Sequence, residues 1–151
     1  NSQSISDEIE ITSSSIMNDD KDFSPLNVIR YNDNNIEFCS KRDETPWICF
    51  YFKKHKIIPK NYTIESYNGI VNHHHPRAWV IEGSNNNIKW EIIDEEKDCS
   101  FLNGPNIVHT FSISNSSNQE YQYLRMRRTG NNWSDDRLLN FKHFEFFGSI
   151  V

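Results

Sequence analysis

At 151 residues the chain is long enough for one domain with a sizeable core, and 16 Lys and Arg against 21 Asp and Glu leave a net charge of −5. That mild acidity disfavours a dedicated nucleic-acid surface, which needs a clustered basic excess. No apolar run approaches the roughly 18–20 residues of a membrane-spanning helix. The three cysteines, Cys39, Cys49 and Cys99, are odd in number and widely spaced, without a CxxC pair, and read as reduced, packed thiols.

Residues 1–8 are polar and read as a frayed leader, with one domain over 9–151. The chain starts at Asn rather than Met and shows no signal-peptide pattern, so it is expected to be a piece or a processed product of a longer protein. Ile9 and Ile11 begin an alternating strand that runs into serines. Trp47–Phe52 (WICFYF) is a near-continuous apolar run of strand length, expected to be central and buried on both faces. Lys53–Lys56 is a charged turn, and Asn61–Tyr67 alternates again. Three histidines, His73, His74 and His75, then precede Pro76, which biases His75 to an extended backbone and makes the segment a loop entering a strand.

Ala78–Gly83 and Ile88–Ile93 are expected to pair as a hairpin around Gly83–Asn87, where Gly and Asn supply the turn's left-handed angles. Ile107–Ser114, Tyr121–Arg128 and Phe141–Gly148 complete the strands. In the strand at Tyr121–Arg128, Tyr123 shares a face with Arg125 and Arg127, while Leu124 and Met126 point to the interior. The basic run Arg125–Arg128 therefore reads as a solvated face, not a nucleic-acid stripe. Trp79 and Trp90 are expected in the core. About eight short strands, Asn/Ser/Gly/Asp turns and no capped helical pattern predict an all-β protein, a jelly-roll β-sandwich with little helix.

The chemistry-bearing residues argue against an enzyme. There is no Gly-x-Ser-x-Gly, no nucleophile motif around any cysteine and no phosphate-binding glycine loop. Asp94-Glu95-Glu96 and Asp135-Asp136 read as polar, solvated loops, although loop carboxylates such as Asp135 and Asp136 suit a hard cation. Adjacent histidines in an extended segment point in opposite directions, so His73–His75 do not make a zinc motif, and no metal or cofactor is expected. The sequons at Asn61, Asn115 and Asn132 carry little weight in an Asn-rich chain.

Three stretches carry a resemblance: HHHPRAWVIEGSNNNIKWEIID, YLRMRRTGNNWS and FEFFG. Together they resemble the discoidin-like, or coagulation-factor type C, domain family. The likeness is to its intracellular branch, within the galactose-binding-domain-like superfamily. The resemblance runs in order along residues 9–148 and implies the same jelly roll. Secreted members join their chain ends by a disulfide, and no cysteine lies near either terminus here, which favours a reducing, cytoplasmic setting. Membrane-binding members use apolar spikes. Here Ile16, Met17 and Phe23 are accompanied by Asp19, Asp20 and Asp22, which repel anionic lipid and disfavour a membrane role.

The resemblance implies function in loops at one end of the sandwich, over residues 13–22, 31–35, 67–77 and 130–136. The candidate ligand-binding residues are His74, His75, Arg77, Asp33, Asn132 and Trp133. Trp133 reads either as an aromatic platform or as a cover for the end of the core. The expected function is a non-catalytic module that binds a protein partner within a larger adaptor or ubiquitin-ligase-associated protein. The alternative is a lectin-like carbohydrate-binding module.

Overall fold

Alternating side chains place one face of each strand against the core. In the computed structural model, which describes residues 8–31, 36–115 and 117–151, the strands in chain order are β1 (Ile9–Ser13), β2 (Phe38–Cys39), β3 (Trp47–Phe52), β4 (Ile57–Glu65), β5 (Trp79–Ser84), β6 (Glu91–Glu96), β7 (Val108–Ser112), β8 (Tyr123–Arg128), β9 (Asn140–Phe141) and β10 (His143–Ile150). Helical structure among the described residues is limited to 3₁₀ turns at Met17–Asp19, Lys21–Phe23 and Pro25–Ile29. All strand pairs are antiparallel. One sheet has the order β1-β3-β8-β5-β6, a second has β10-β4-β7, and β2 pairs with β9. This is the expected all-β jelly-roll sandwich.

The core lies between the two larger sheets. Ile48, Phe50, Trp79, Ile81, Leu124 and Met126 face Tyr62, Ile64, Phe111 and Phe144. Tyr62 stacks on Phe111 with ring centroids 5.1 Å apart, and Phe50 meets Phe144 at 5.3 Å. A polar chain threads this apolar layer. Trp79 Nε1 donates to the Tyr62 hydroxyl (3.1 Å), and that hydroxyl donates to Asp94 Oδ2 (2.5 Å). Asp94 Oδ1 in turn accepts from Ser114 N at 3.0 Å. Each buried side-chain polar atom of Trp79, Tyr62 and Asp94 finds a partner, which is the condition for burying them at all. Burial and the donation to Asp94 push the Tyr62 phenol well above its usual range.

Several expectations need correction. β5 and β6 do form the hairpin, but β6 begins at Glu91, so Ile88, Lys89 and Trp90 belong to the connection. Local side-chain bonds hold that connection open: Asn86 Oδ1 accepts from Ile88 N and Lys89 N, both at 2.9 Å. Trp90 therefore stands outside the core, partly exposed. Gly83 is not a turn residue. It lies in β5, where an added Cβ would sit 2.5 Å from the Tyr121 ring. β3 is flanked by β1 and β8 as a central strand, yet its outward Trp47 and Tyr51 are only half-buried.

Left-handed backbone falls to Asn18, Asp19, Asn72, Asn87, Asn106 and Asp135, and to no glycine among the described residues. Asn and Asp tolerate that region best among residues with a Cβ, so the abundant Asn has a structural use in the turns. All three cysteines are free and buried, and burial pushes the Cys39 and Cys49 thiols up to about 12.

The strand directions sort the connections to two ends. Residues 14–31 and 36–46, 66–78, 97–107 and 129–139 gather at one end. The turn at 53–56 lies at the other, where Lys53 N donates to Glu8 O (3.0 Å) and Val151 N donates to Lys56 O (2.9 Å).

Candidate functional site

Three of the loops named from the sequence, 13–22, 67–77 and 130–136, share one end of the sandwich, while residues 32–35 lie outside the described residues; a few side chains bind the loops of this end to each other. Asn72 N donates to Asn103 Oδ1 (2.8 Å), and Asn103 Nδ2 returns a bond to Asn72 Oδ1 (3.0 Å). Trp133 joins three loops: its backbone N donates to His75 O at 3.1 Å and its indole Nε1 to Cys99 O at 2.8 Å. The Arg77 guanidinium lies 4.3 Å over the Trp133 ring, and its Nε donates to Asp98 Oδ1 at 2.6 Å. Trp133 is thus partly a cover, fixed from below and along one face, with some of its ring still exposed.

Two of the six candidates are internal. Asn132 is 1% exposed and organises its own loop. Its Oδ1 accepts from Ser134 N (3.0 Å) and Asp136 N (3.2 Å), and its Nδ2 donates to Asp136 Oδ1 (2.8 Å) and Leu138 O (3.1 Å). With both amide atoms engaged, Asn132 offers nothing to a ligand in this conformation. His75 is 0% exposed. Its Nε2 lies 2.8 Å from Gly69 O and 3.0 Å from Ile70 O, and two carbonyl acceptors require that nitrogen to carry the proton. Nδ1 is buried without a partner. The other candidates differ: His74, Arg77 and Trp133 are partly exposed at the loop end, and Asp33 lies outside the described residues.

Burial lowers the His75 pKa despite the two carbonyls. The unfolded chain therefore takes up a proton, near pH 6.5, that the folded chain resists. Stability should be fully present above about pH 6.5 and should decline as the pH falls from there toward the lower folded value. His75→Gln keeps an N–H donor without a titrating group. In urea unfolding between about pH 7.5 and 5.5, the variant should lose less stability than the parent. An equal loss in both would mean that His75 does not titrate in this way.

Asp136 is the centre of the exposed part. Leu138 N (2.9 Å) and Asn132 Nδ2 (2.8 Å) fix its Oδ1, while Oδ2 faces Arg42 Nη2 and His74 Nδ1, both at 3.3 Å. The His74 nitrogen is within ion-pair distance but not aligned as a hydrogen bond. Burial pushes the Asp136 carboxyl up, but the Leu138 and Asn132 hydrogen bonds and the His74 and Arg42 charges outweigh it and hold the group below its usual range. Arg42 was not among the sequence candidates. It sits 94 residues from Asp136, and no local signal links them. The Asp135 carboxylate turns to Asn131 Nδ2 (3.2 Å) instead of completing a cation site. No group of three or more His, Cys, Asp or Glu among the described residues has metal-holding geometry. The loop end thus presents donors (Arg42, His74, Arg77), acceptors (Asp136, Asp98) and an aromatic ring, with Asp136 held by Asn132 and Leu138 and Trp133 by His75 and Cys99.

No family model and no curated protein sequence matches the chain. Solved structures do match its fold. The CpGH89CBM32-5 module of Clostridium perfringens, in complex with GalNAc-β-1,3-galactose, is 12% identical with a TM-score of 0.71, over 93% of this chain and 95% of that one. An F5/8 type C domain from Bacteroides fragilis is 10% identical with a TM-score of 0.72, over 95% and 93%. A fucolectin from Morone saxatilis (striped bass) serum is 15% identical with a TM-score of 0.71, over 93% of this chain and 47% of that one. Two of these similar folds belong to a carbohydrate-binding module and a lectin. The chain has the galactose-binding-like jelly-roll fold of F5/8 type C (discoidin-like) domains and family 32 carbohydrate-binding modules.

Proposed function

We propose that this domain is a non-catalytic carbohydrate-binding module that takes a sugar at the loop end. The observation that carries this reading is the convergence of Arg42 and His74 on Asp136 Oδ2, at 3.3 Å each. Planar charged groups of both signs, fixed side by side, can exchange paired hydrogen bonds with neighbouring hydroxyls of a sugar ring. The part of the Trp133 ring that Arg77 leaves exposed supplies an apolar surface for the sugar's C–H face. The fold match to sugar-binding modules supports the ligand class, although fold by itself does not assign function.

The test is a glycan array followed by calorimetric titration of the best binders, with galactose, N-acetylgalactosamine, fucose and chitosan oligosaccharides included. Arg42→Ala and His74→Ala remove exposed or half-exposed side chains and should leave the fold intact. Each should weaken sugar binding by about tenfold, as expected for losing one charge-assisted contact. Absence of any saturable sugar binding would overturn the carbohydrate reading. Sugar binding indifferent to both variants would overturn the loop-end site.

A further inference from the structure

A second, differently built surface lies on the outer face of the five-stranded sheet. Outward positions of such a sheet normally carry small or polar side chains that face water. Here β3 presents Trp47, Cys49 and Tyr51, and β8 presents Tyr123, Arg125 and Arg127. The register sets Tyr51 opposite Tyr123, Cys49 opposite Arg125 and Trp47 opposite Arg127. The Tyr51 and Tyr123 rings stack at 4.6 Å with 10° between their planes. Trp90 reaches over from the β5–β6 connection, edge-on to Tyr123 at 6.4 Å.

All of these residues but Arg127 line a groove of about 520 Å³, walled on one side by Glu10 and Thr12 of β1 and on the other by Asn87 and Trp90. Small-molecule sites span about 300–1,000 Å³. From Trp47 to Tyr51 the groove follows β3 for four residue rises, about 13 Å. Its polar groups are held before any ligand arrives. The Arg125 guanidinium sits 3.9 Å over the Trp90 ring while its Nε donates to Glu82 Oε1 at 2.9 Å. Preorganisation of this kind lowers the entropy cost of binding.

The geometry points to this groove as a binding site for an uncharged oligosaccharide, separate from the loop end. Aromatic rings interleaved with hydrogen-bonding groups suit the C–H faces and hydroxyls of sugar rings. Among the residues that line the groove the charged ones are Arg125 and Glu10, one of each sign, so the lining has no net charge to draw a nucleic acid or an acidic peptide. Its length along β3 fits several linked rings better than one. The choice of a sugar rests on the carbohydrate reading above, while the groove is independent of the loop-end residues.

The four tryptophans separate the two sites: Trp47 and Trp90 report on the groove, Trp133 on the loop end and Trp79 on the core. Indole N–H signals of the ¹⁵N-labelled protein are followed while linear galacto-, gluco- and chito-oligosaccharides are added, beside their monosaccharides. Trp47 and Trp90 should shift with an oligosaccharide. Trp90→Ala should weaken that binding by about tenfold. Thr12→Glu, which removes no packing, should do the same by placing bulk and charge against the groove wall. Arg42→Ala should leave the groove shifts unchanged. If oligosaccharides move Trp133 alone, the groove site is overturned and the carbohydrate reading survives. If no indole moves with any sugar, both fall. A peptide captured at the groove by a protein that ignores every sugar would also overturn the proposal.

Discussion

Trp79→Ala is expected to lower the free energy of unfolding by about 3–5 kcal/mol, the usual cost of truncating a buried large aromatic. The side chain is 0% exposed and meets Phe111 edge-on at 5.4 Å and 89°. Truncation removes apolar area, leaves a cavity between the sheets and deletes the indole donor to the Tyr62 hydroxyl. Domains of this size hold about 5–15 kcal/mol in total, so the variant should sit near the limit of folding. Urea unfolding should show a lower midpoint with an unchanged slope. Trp79→Phe keeps one ring but loses the N–H and part of the buried volume, and should cost about 1–3 kcal/mol, less than the alanine variant. A Trp79→Ala loss below about 1 kcal/mol would contradict the packing described.

Glu82→Gln should be the most damaging single-charge change, at about 2 kcal/mol. Glu82 is 4% exposed and answers two cations: Oε1 accepts from Arg125 Nε (2.9 Å) and Arg127 Nε (2.8 Å), and Oε2 from Arg127 Nη2 (3.2 Å). Breaking a fully buried pair costs about 3–5 kcal/mol. The two arginine side chains keep 19% and 27% exposure, so solvent screening reduces that figure. Burial alone would raise the Glu82 pKa, but hydrogen bonds from Arg127 and Arg125 outweigh it and hold the carboxyl below its usual range. The carboxylate therefore contributes full stability above the unfolded value, about 4.3, and loses it as the pH falls through the lower folded value. Acid unfolding of Glu82→Gln should accordingly be shallower below about pH 4, starting from a lower plateau. Equal stability at neutral pH would mean that water, not Glu82, satisfies the arginines.

Much of the scaffold was legible because it follows from local alternation. The outward placing of Tyr123, Arg125 and Arg127 against inward Leu124 and Met126 is a statement about period two, and the strand obeys it. Trp79 was legible because the Pro76 segment delivers the chain directly into the strand that carries it. Trp90 was not. An apolar pattern continued through Ile88–Ile93, and the side-chain bonds of Asn86 that end the strand early leave no trace in that pattern. His75 and Asn132 resemble exposed loop residues in sequence, and their burial is decided by carbonyls and neighbours brought in by folding. The pairing of Arg42 with Asp136 depends wholly on long-range topology.

The hydrogen bonds that tie Glu8 and Val151 to one short turn have a practical outcome. Both ends of the described chain leave the sandwich at the pole away from the loop end that carries Asp136 and Trp133. A fluorescent protein, an affinity tag or a second copy of the domain can therefore be attached on either side, or on both, without shadowing those loops. Tandem copies joined through a flexible linker would display their loops outward together. A weak single-site interaction could then be raised into a strong multivalent one by linker length alone.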